Sequence, residues 1–447
     1  MKRTLIKNVT VVNEGSISLQ DVLIENDVIS RIAAANSVSI SESETMDGTN
    51  LFLLPGLIDD QVHFREPGLT HKGELLTESI AAVAGGITSY MEMPNTVPAA
   101  TNKIELEKKY TRAAEVSLAN FSFYIGASNN NLSELTAIDP RNVCGVKVFM
   151  GSSTGDLVVD DRDALEGIFR EVKTIITTHC EDDPEIRKNA ENYRAQYGED
   201  VPMSMHPLIR SREACVLSSS LARTLAEKYG SKLHILHIST KDEADSFGND
   251  IPLEHKHITA EACVHHLWFC DQDYESKGTW IKWNPAIKTA ADRDAILRAV
   301  IEDRIDVIAT DHAPHTRDEK MSSYFKAPSG GPLVQHALQA LIELHLQGKI
   351  SLEKIVEKTS HNVAKLFEIE KRGFIREGYF ADLVLVDLQK PQTVNKENIL
   401  YKCGWSPFEG FTFSSTIRAT WVNGHLAFHD GTIDHSRKGS RLTFNRK

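Results

Sequence analysis

The sequence predicts an α/β protein, a (β/α)8 TIM-like barrel that carries a small composite β domain. Three observations predict it. From Leu53 onward short apolar runs alternate with longer amphipathic stretches, the pattern of parallel βα units. Eight such runs occur before the pattern stops, the number that closes a barrel. Alternating β-type runs also occur at both ends of the chain, where they are expected to pair outside the barrel.

Residues 1–54 form the N-terminal part of that β domain. They read as short strands, TLIKNVTVV and then SLQDVLIENDVISRI with a turn at Asn26-Asp27, and they carry no chemical signature. Residues 55–370 are the predicted barrel. Its strands fall near 57–63, 87–93, 120–126, 144–149, 174–179, 232–238, 256–262 and 305–310. Between them LLTESIAAVAGG, RDALEGIFREVK, REACVLSSSLARTLAEKYG and ADRDAILRAVIED read as helices. Past strand eight, 332–349 and 351–369 repeat apolar residues at three and four positions and predict two more. The alternation returns within 371–447, in ADLVLVDL and TIRATWVNGHLAFHDG, where Asn423-Gly424 signals a type I′ hairpin.

Composition excludes several functions. Hydrophobic content of 41% and charged content of 25% are those of an ordinary globular chain of 447 residues. A net charge of −12 argues against a nucleic-acid or anionic-membrane surface, but it leaves room for a small anion held by a few basic groups in a cleft. The six cysteines (144, 180, 215, 263, 270 and 403) form no CxxC pair, which suggests free thiols in a reducing compartment. Lys7 and Asn8 break the first apolar run too early for a signal segment. No run of about 18 apolar residues is present to span a membrane. A cytoplasmic protein is expected, its oligomeric state left open with a homodimer among the options.

The chemistry gathers where barrel strands end, which is where barrels place reacting groups. The stretch PGLIDDQVHFREPG (55–68) offers Asp59, Gln61, His63 and Arg65, which strand alternation would aim one way. Strand two runs into Asn95 and strand four carries Lys147. Strands five, six and eight end at His179, His237 and Asp311. Lys147 and His179 are separated by 32 residues (179 − 147), about one βα unit, and His179 and His237 by 58 (237 − 179), about two. All can therefore converge on one mouth. Three imidazoles with carboxylate oxygen suit a borderline divalent ion such as Zn2+. A desolvated Lys147 loses its proton readily. Its free amine can take up carbon dioxide as a carbamate, whose oxygens bridge two metals. The plain alternative is an ion pair with Asp311 or Glu181. His234, His255 and His257 read as structural. His265-His266 and the polar loop 316–331, which has the means to cover the mouth, receive no role.

Together IDDQVHFREPG, MPNT, GVKVF, TTHCED, LHILHIST, KWNPAIK and IATDHAPH resemble the dihydroorotases of the amidohydrolase superfamily, over nearly the whole chain. One position departs from that pattern. Gln61 stands where the first histidine of the strand-one HxH pair is expected.

The resemblance implies metal ligation by His63, Lys147, His179, His237 and Asp311, with Gln61 doubtful and its metal the weaker of one or two. It implies that Asp311 also shuttles the proton. It further implies that Arg65, Asn95 and His315 hold a substrate carboxylate, and that Asn284 with the backbone near Ser329 and Gly330 meets the ring. The implied substrates are small anions, dihydroorotate and carbamoyl aspartate, in pyrimidine biosynthesis, with metal hydroxide attacking a cyclic amide. Simpler roles stay open, His315 as a support for Asp311 and Asn95 as a turn residue. Two other functions stay open as well. One is a hydantoinase or allantoinase, and the other is a non-catalytic homologue serving as a scaffold, which Gln61 motivates.

Overall fold

The computed structural model describes residues 3–40, 44–151 and 157–446. Both chain ends feed one nine-stranded sheet. Arg3–Asn13, Ser16–Glu25 and Val28–Ala34 form an antiparallel meander, and Phe52–Pro55 runs parallel to the first of these strands. The C-terminal strand Leu383–Asp387 then pairs antiparallel with Phe52–Pro55, Val384 opposite Leu54 and Leu385 opposite Leu53. This pairing makes one sheet of two distant segments. Its inward residues, including Val9, Ile24, Leu53, Leu383 and Trp421, pack as one buried cluster. Truncating Trp421 to alanine there would cost about 3–5 kcal/mol.

The two turns expected from Asn26-Asp27 and Asn423-Gly424 meet each other. Asn423 and Gly424 have φ of 49° and 70°, as a type I′ turn requires, and Asn26 has φ of 55°. A Cβ on Gly424 would lie 2.0 Å from the Asn26 carbonyl oxygen, so this position admits only glycine.

The barrel strands are Leu57–Val62, Ile87–Glu92, Asn120–Phe123 continuing as Ile125–Gly126, Val146–Phe149, Ile176–His179, Leu233–Ile235, Ile258–Cys263 and Val307–Ala309. Neighbours pair in parallel. Strand one meets the chain just past strand eight, where the His63 N–H donates to the His312 carbonyl at 2.7 Å. The expected strands are all present, most of them shortened at their ends, while strand seven runs one residue further than expected, to Cys263.

The helices form for local reasons. In Arg212–Tyr229 the residues Ala214, Cys215, Ser218, Ala222, Leu225 and Ala226 recur on one buried face. Ser211 caps the start by accepting the Ala214 N–H, and Gly230 at φ 67° ends the helix. Removing such a cap costs about 1 kcal/mol.

The stretch 351–369 differs from its expected single helix. It is Leu352–Val356, a π turn at Glu357–His361, and Asn362–Leu366. The extra residue in that turn lets polar side chains face inward. Lys358 Nζ donates to the Ile305 carbonyl at 2.8 Å and Asn362 Nδ2 to that of Asp306 at 2.9 Å. These bonds grip the chain entering strand eight. Among the described residues no helix is long and apolar enough to cross a membrane. All six cysteines are buried and free.

Candidate active site

A cleft of about 880 Å³ opens at the C-terminal ends of the barrel strands. Gln61, His63, Arg65, Asn95, Lys147, His179, His237, Asn284, Asp311, His315, Ser329 and Gly330 all line it. Asp59 does not. Strand alternation would have aimed it with Gln61, but the register against strand two slips between Asp59 and Val62. Asp59 instead accepts the Thr310 hydroxyl at 2.6 Å and the Gln61 N–H at 3.2 Å, tying strand one to strand eight.

On one side His179 Nδ1 faces His237 Nε2 at 2.9 Å. The other nitrogen of His179, Nε2, donates to Glu181 at 2.9 Å, and Arg210 donates to the same carboxylate oxygen at 2.5 Å. Burial would raise the Glu181 carboxyl, but Arg210 and His179 outweigh it and hold the group well below the carboxylate range. The ionised Glu181 thus fixes the His179 tautomer and leaves Nδ1 a lone pair toward the cleft.

On the opposite side His63 Nδ1 donates to Asn95 Oδ1 at 2.7 Å, which leaves Nε2 as a lone pair 3.2 Å from Asp311 Oδ1. Gln61 Nε2 donates to that same oxygen at 3.2 Å. Burial pushes the Asp311 carboxyl up to about 7, against the opposing pull of Lys147 and His179. Between the two sides lies Lys147, 1% exposed, with Nζ 4.7 Å from the Phe149 ring centre. Desolvation pulls its ammonium down to about 8. Among the described residues Lys147 makes no ion pair within 4.0 Å of Asp311 or Glu181, although the Asp311 charge acts on its ammonium and opposes the desolvation.

These donors fit a divalent metal. His179 Nδ1 and His237 Nε2 approach at 2.9 Å and hold one proton between them, which a metal ion would displace, and His63 Nε2 lies 3.2 Å from Asp311 Oδ1. Carboxylate and amide partners behind two of the three imidazoles set the tautomers a metal needs.

The third part of the cleft is cationic. Arg65 Nε donates to the Pro314 carbonyl at 3.0 Å, and burial lowers its guanidinium to about 10. His315 is held well below its ordinary pKa by burial and by Arg65, so its ring is neutral. Lys72 Nζ donates to His315 Nδ1 at 3.1 Å, and His315 Nε2 lies 3.0 Å from both the Ser329 carbonyl and Arg65 Nη2. Lys72 was not anticipated from the sequence. Its only signal was a lysine seven residues beyond Arg65 in REPGLTHK.

The loop after strand eight is pinned rather than free. Lys320, fully buried, donates to the carbonyls of Pro328 and Gly330, and Lys282 to those of Tyr324 and Ala327. Gly330, at φ 123°, has no space for a Cβ beside the Ala313 carbonyl. His265 and His266 do not line the cleft. His265 stacks at 4.5 Å on Trp283, which itself lines the cleft, and His266 Nε2 makes a 3.1 Å hydrogen bond to the Pro285 carbonyl.

Three site residues other than glycine hold positive φ: Arg65 at 71°, His237 at 40° and Asp311 at 48°. Each such backbone costs of order 1–3 kcal/mol and persists where the surroundings enforce it.

A barrel whose strand ends gather imidazoles, a desolvated lysine and a carboxylate has the build of a barrel hydrolase. Residues 52–427 match the Amidohydrolase family, and the chain belongs to it. Its sequence is 32% identical over 388 residues to the dihydroorotase of Halobacterium salinarum, covering 85% of this chain and 88% of that one. It is 32% identical over 432 residues to the dihydroorotase of Carboxydothermus hydrogenoformans, covering 95% and 97%. Among solved structures, the L-hydantoinase (dihydropyrimidinase) of Arthrobacter aurescens superposes with a TM-score of 0.92 over 99% of this chain and 100% of that one, at 24% identity. At that identity the likeness is one of fold.

Proposed function

We propose that this chain is a zinc-dependent dihydroorotase, interconverting L-dihydroorotate and N-carbamoyl-L-aspartate in pyrimidine biosynthesis. The observation that carries the reading is the buried Arg65 guanidinium beside His315 and the imidazole and carboxylate donors, next to Lys72, whose charge Glu319 pairs at 3.0 Å. A cyclic amide that bears an exocyclic carboxylate calls for both, whereas an uncharged ring calls for the donors alone. Arginine's planar fork of N–H groups matches a carboxylate.

In this reading His63, Lys147 and Asp311 would hold one zinc, with Gln61 beside them as a doubtful donor, and Lys147, His179 and His237 would hold a second, with Lys147 as the carbamate formed with carbon dioxide. Bound zinc supplies a water acidic enough to react near neutral pH and polarises the ring carbonyl. Arg65, Asn95 and His315 hold the carboxylate. Asn284 and the backbone of Ser329 and Gly330 hold the ring amides. Asp311, whose buried carboxyl is poised near 7, takes the proton the water loses and gives it to the ring nitrogen as the C–N bond breaks. The water oxygen ends in the new carboxylate, and the reverse sequence closes the ring.

Turnover by Arg65→Ala tests this reading. With dihydroorotate, kcat/KM should fall about a hundredfold or more, the cost of stripping a buried charge of its partner. Unchanged dihydroorotate turnover together with rapid opening of uncharged hydantoins would make the chain a hydantoinase instead. Wild-type protein that binds no zinc and turns over neither ring, with zinc and bicarbonate supplied, would leave the scaffold reading.

A further inference from the structure

Within the barrel a second polar cluster belongs to none of the groups above. Asp60 on strand one, His234 on strand six and Glu261 on strand seven are each fully buried. Their strands are not all neighbours, so the three meet across the barrel interior. One oxygen or nitrogen from each lies within 4.8 Å of the others. His234 Nε2 is 3.2 Å from Asp60 Oδ2 and 4.0 Å from Glu261 Oε2.

Four of these atoms have no hydrogen-bond partner: both Asp60 oxygens, Glu261 Oε2 and His234 Nε2. The short His234–Asp60 approach is thus a contact without hydrogen-bond alignment. Buried carboxylates without partners are rare because desolvating them is costly. The remaining valences are all used elsewhere. Thr259 Oγ1 donates to the Leu233 carbonyl at 3.2 Å, so the hydroxyl must accept from His234 Nδ1, 2.8 Å away. The proton of a neutral His234 is therefore on Nδ1, and Nε2 presents its lone pair to the two acids. Glu261 Oε1 accepts the His237 N–H at 2.9 Å and lies 3.2 Å from Cys263 Sγ, which leaves Oε2 as the atom turned inward.

We propose that Asp60, His234 and Glu261 bind a divalent transition ion of the zinc class, at a site separate from the cleft. With both acids ionised and His234 neutral the three would sum to −2, which a divalent ion cancels. Without one, burial and the neighbouring Asp60 push the Glu261 carboxyl well above its ordinary range. An imidazole nitrogen with carboxylate oxygens suits zinc, and the imidazole disfavours calcium or magnesium. The role is structural. The ion fixes Glu261, whose other oxygen holds the His237 backbone N–H at the residue with φ 40°. It thereby braces a strained backbone beneath the cleft.

The site is tested on the full-length chain by anomalous diffraction at the zinc absorption edge and by zinc content per chain. A peak between Asp60, His234 and Glu261 is expected in wild-type crystals grown with zinc. Asp60→Asn should lower zinc content by one equivalent while leaving any peak beside His179 and His237 in place. Wild-type crystals without a peak at the three residues overturn the proposal, whether or not the Asp60→Asn protein folds. So does an unchanged zinc content in folded Asp60→Asn. In either case protons, not metal, neutralise the cluster. None of these readouts depends on the substrate, so they fail independently of the dihydroorotase reading.

Discussion

The two sides of the cleft are built from similar residues but to different standards. On the side of strands five and six, two imidazole nitrogens approach to 2.9 Å, and the Glu181–Arg210 pair sets the His179 tautomer from behind. On the side of strand one, a single imidazole, His63, is set by the neutral amide of Asn95. Its neighbour Gln61 presents an N–H to Asp311 rather than an oxygen to the cleft. Its Oε1 lies 3.8 Å from Cys263 Sγ. A metal site depends on the lone pairs aimed into it and on the charge behind them. By both measures the first side is complete and the second is not.

The largest expected effect breaks the complete side. His237→Ala removes one of its two imidazoles, and bound zinc there should be lost. Dihydroorotate turnover should fall more than about a hundredfold, beyond what losing a supporting partner alone brings about. Zinc content and steady-state kinetics on one preparation measure both, and retention of full zinc would show that the facing imidazoles are not ligands.

A smaller effect comes from the partner behind. Glu181→Gln keeps the shape but removes the charge that orders His179, and zinc affinity should drop about 10–100-fold. Competition with a chromophoric chelator reads this directly. If the affinity is unchanged, Arg210 rather than Glu181 sets the geometry of that side.

How much of this was legible in the sequence follows from the range of each interaction. The barrel was, because βα alternation is a local pattern repeated along the chain. So were the residues at strand ends, since topology brings strand ends together whatever their separation. Lys72 was not, because its partner His315 is 243 residues away and nothing near Lys72 announces it. The orientation of Asp59 was misjudged because alternation assumes an unbroken register, and strand one slips at that point. The same slip lies beside Asp60, which is fully buried and has no reading from the sequence. His234 reads as structural from the sequence, and its approach to two acids on distant strands lies beyond any local pattern.

The smallest effect, and the most discriminating, is at Gln61. An amide oxygen is neutral and a weaker zinc donor than imidazole, and here the amide nitrogen is the end engaged by Asp311. Any zinc on the strand-one side therefore relies on His63, Asp311 and Lys147, with no further charge supplied by Gln61. Gln61→His places an imidazole on the strand that already aims His63 into the cleft. Its added lone pair should raise zinc occupancy on that side by up to one equivalent and leave the His179–His237 side unchanged. Anomalous peak heights at the two positions, before and after the substitution, separate that gain from a general change in loading. Equal and full peaks in the wild-type protein would mean that three donors already suffice. In that case the difference between the two sides would be one of geometry without consequence for metal binding.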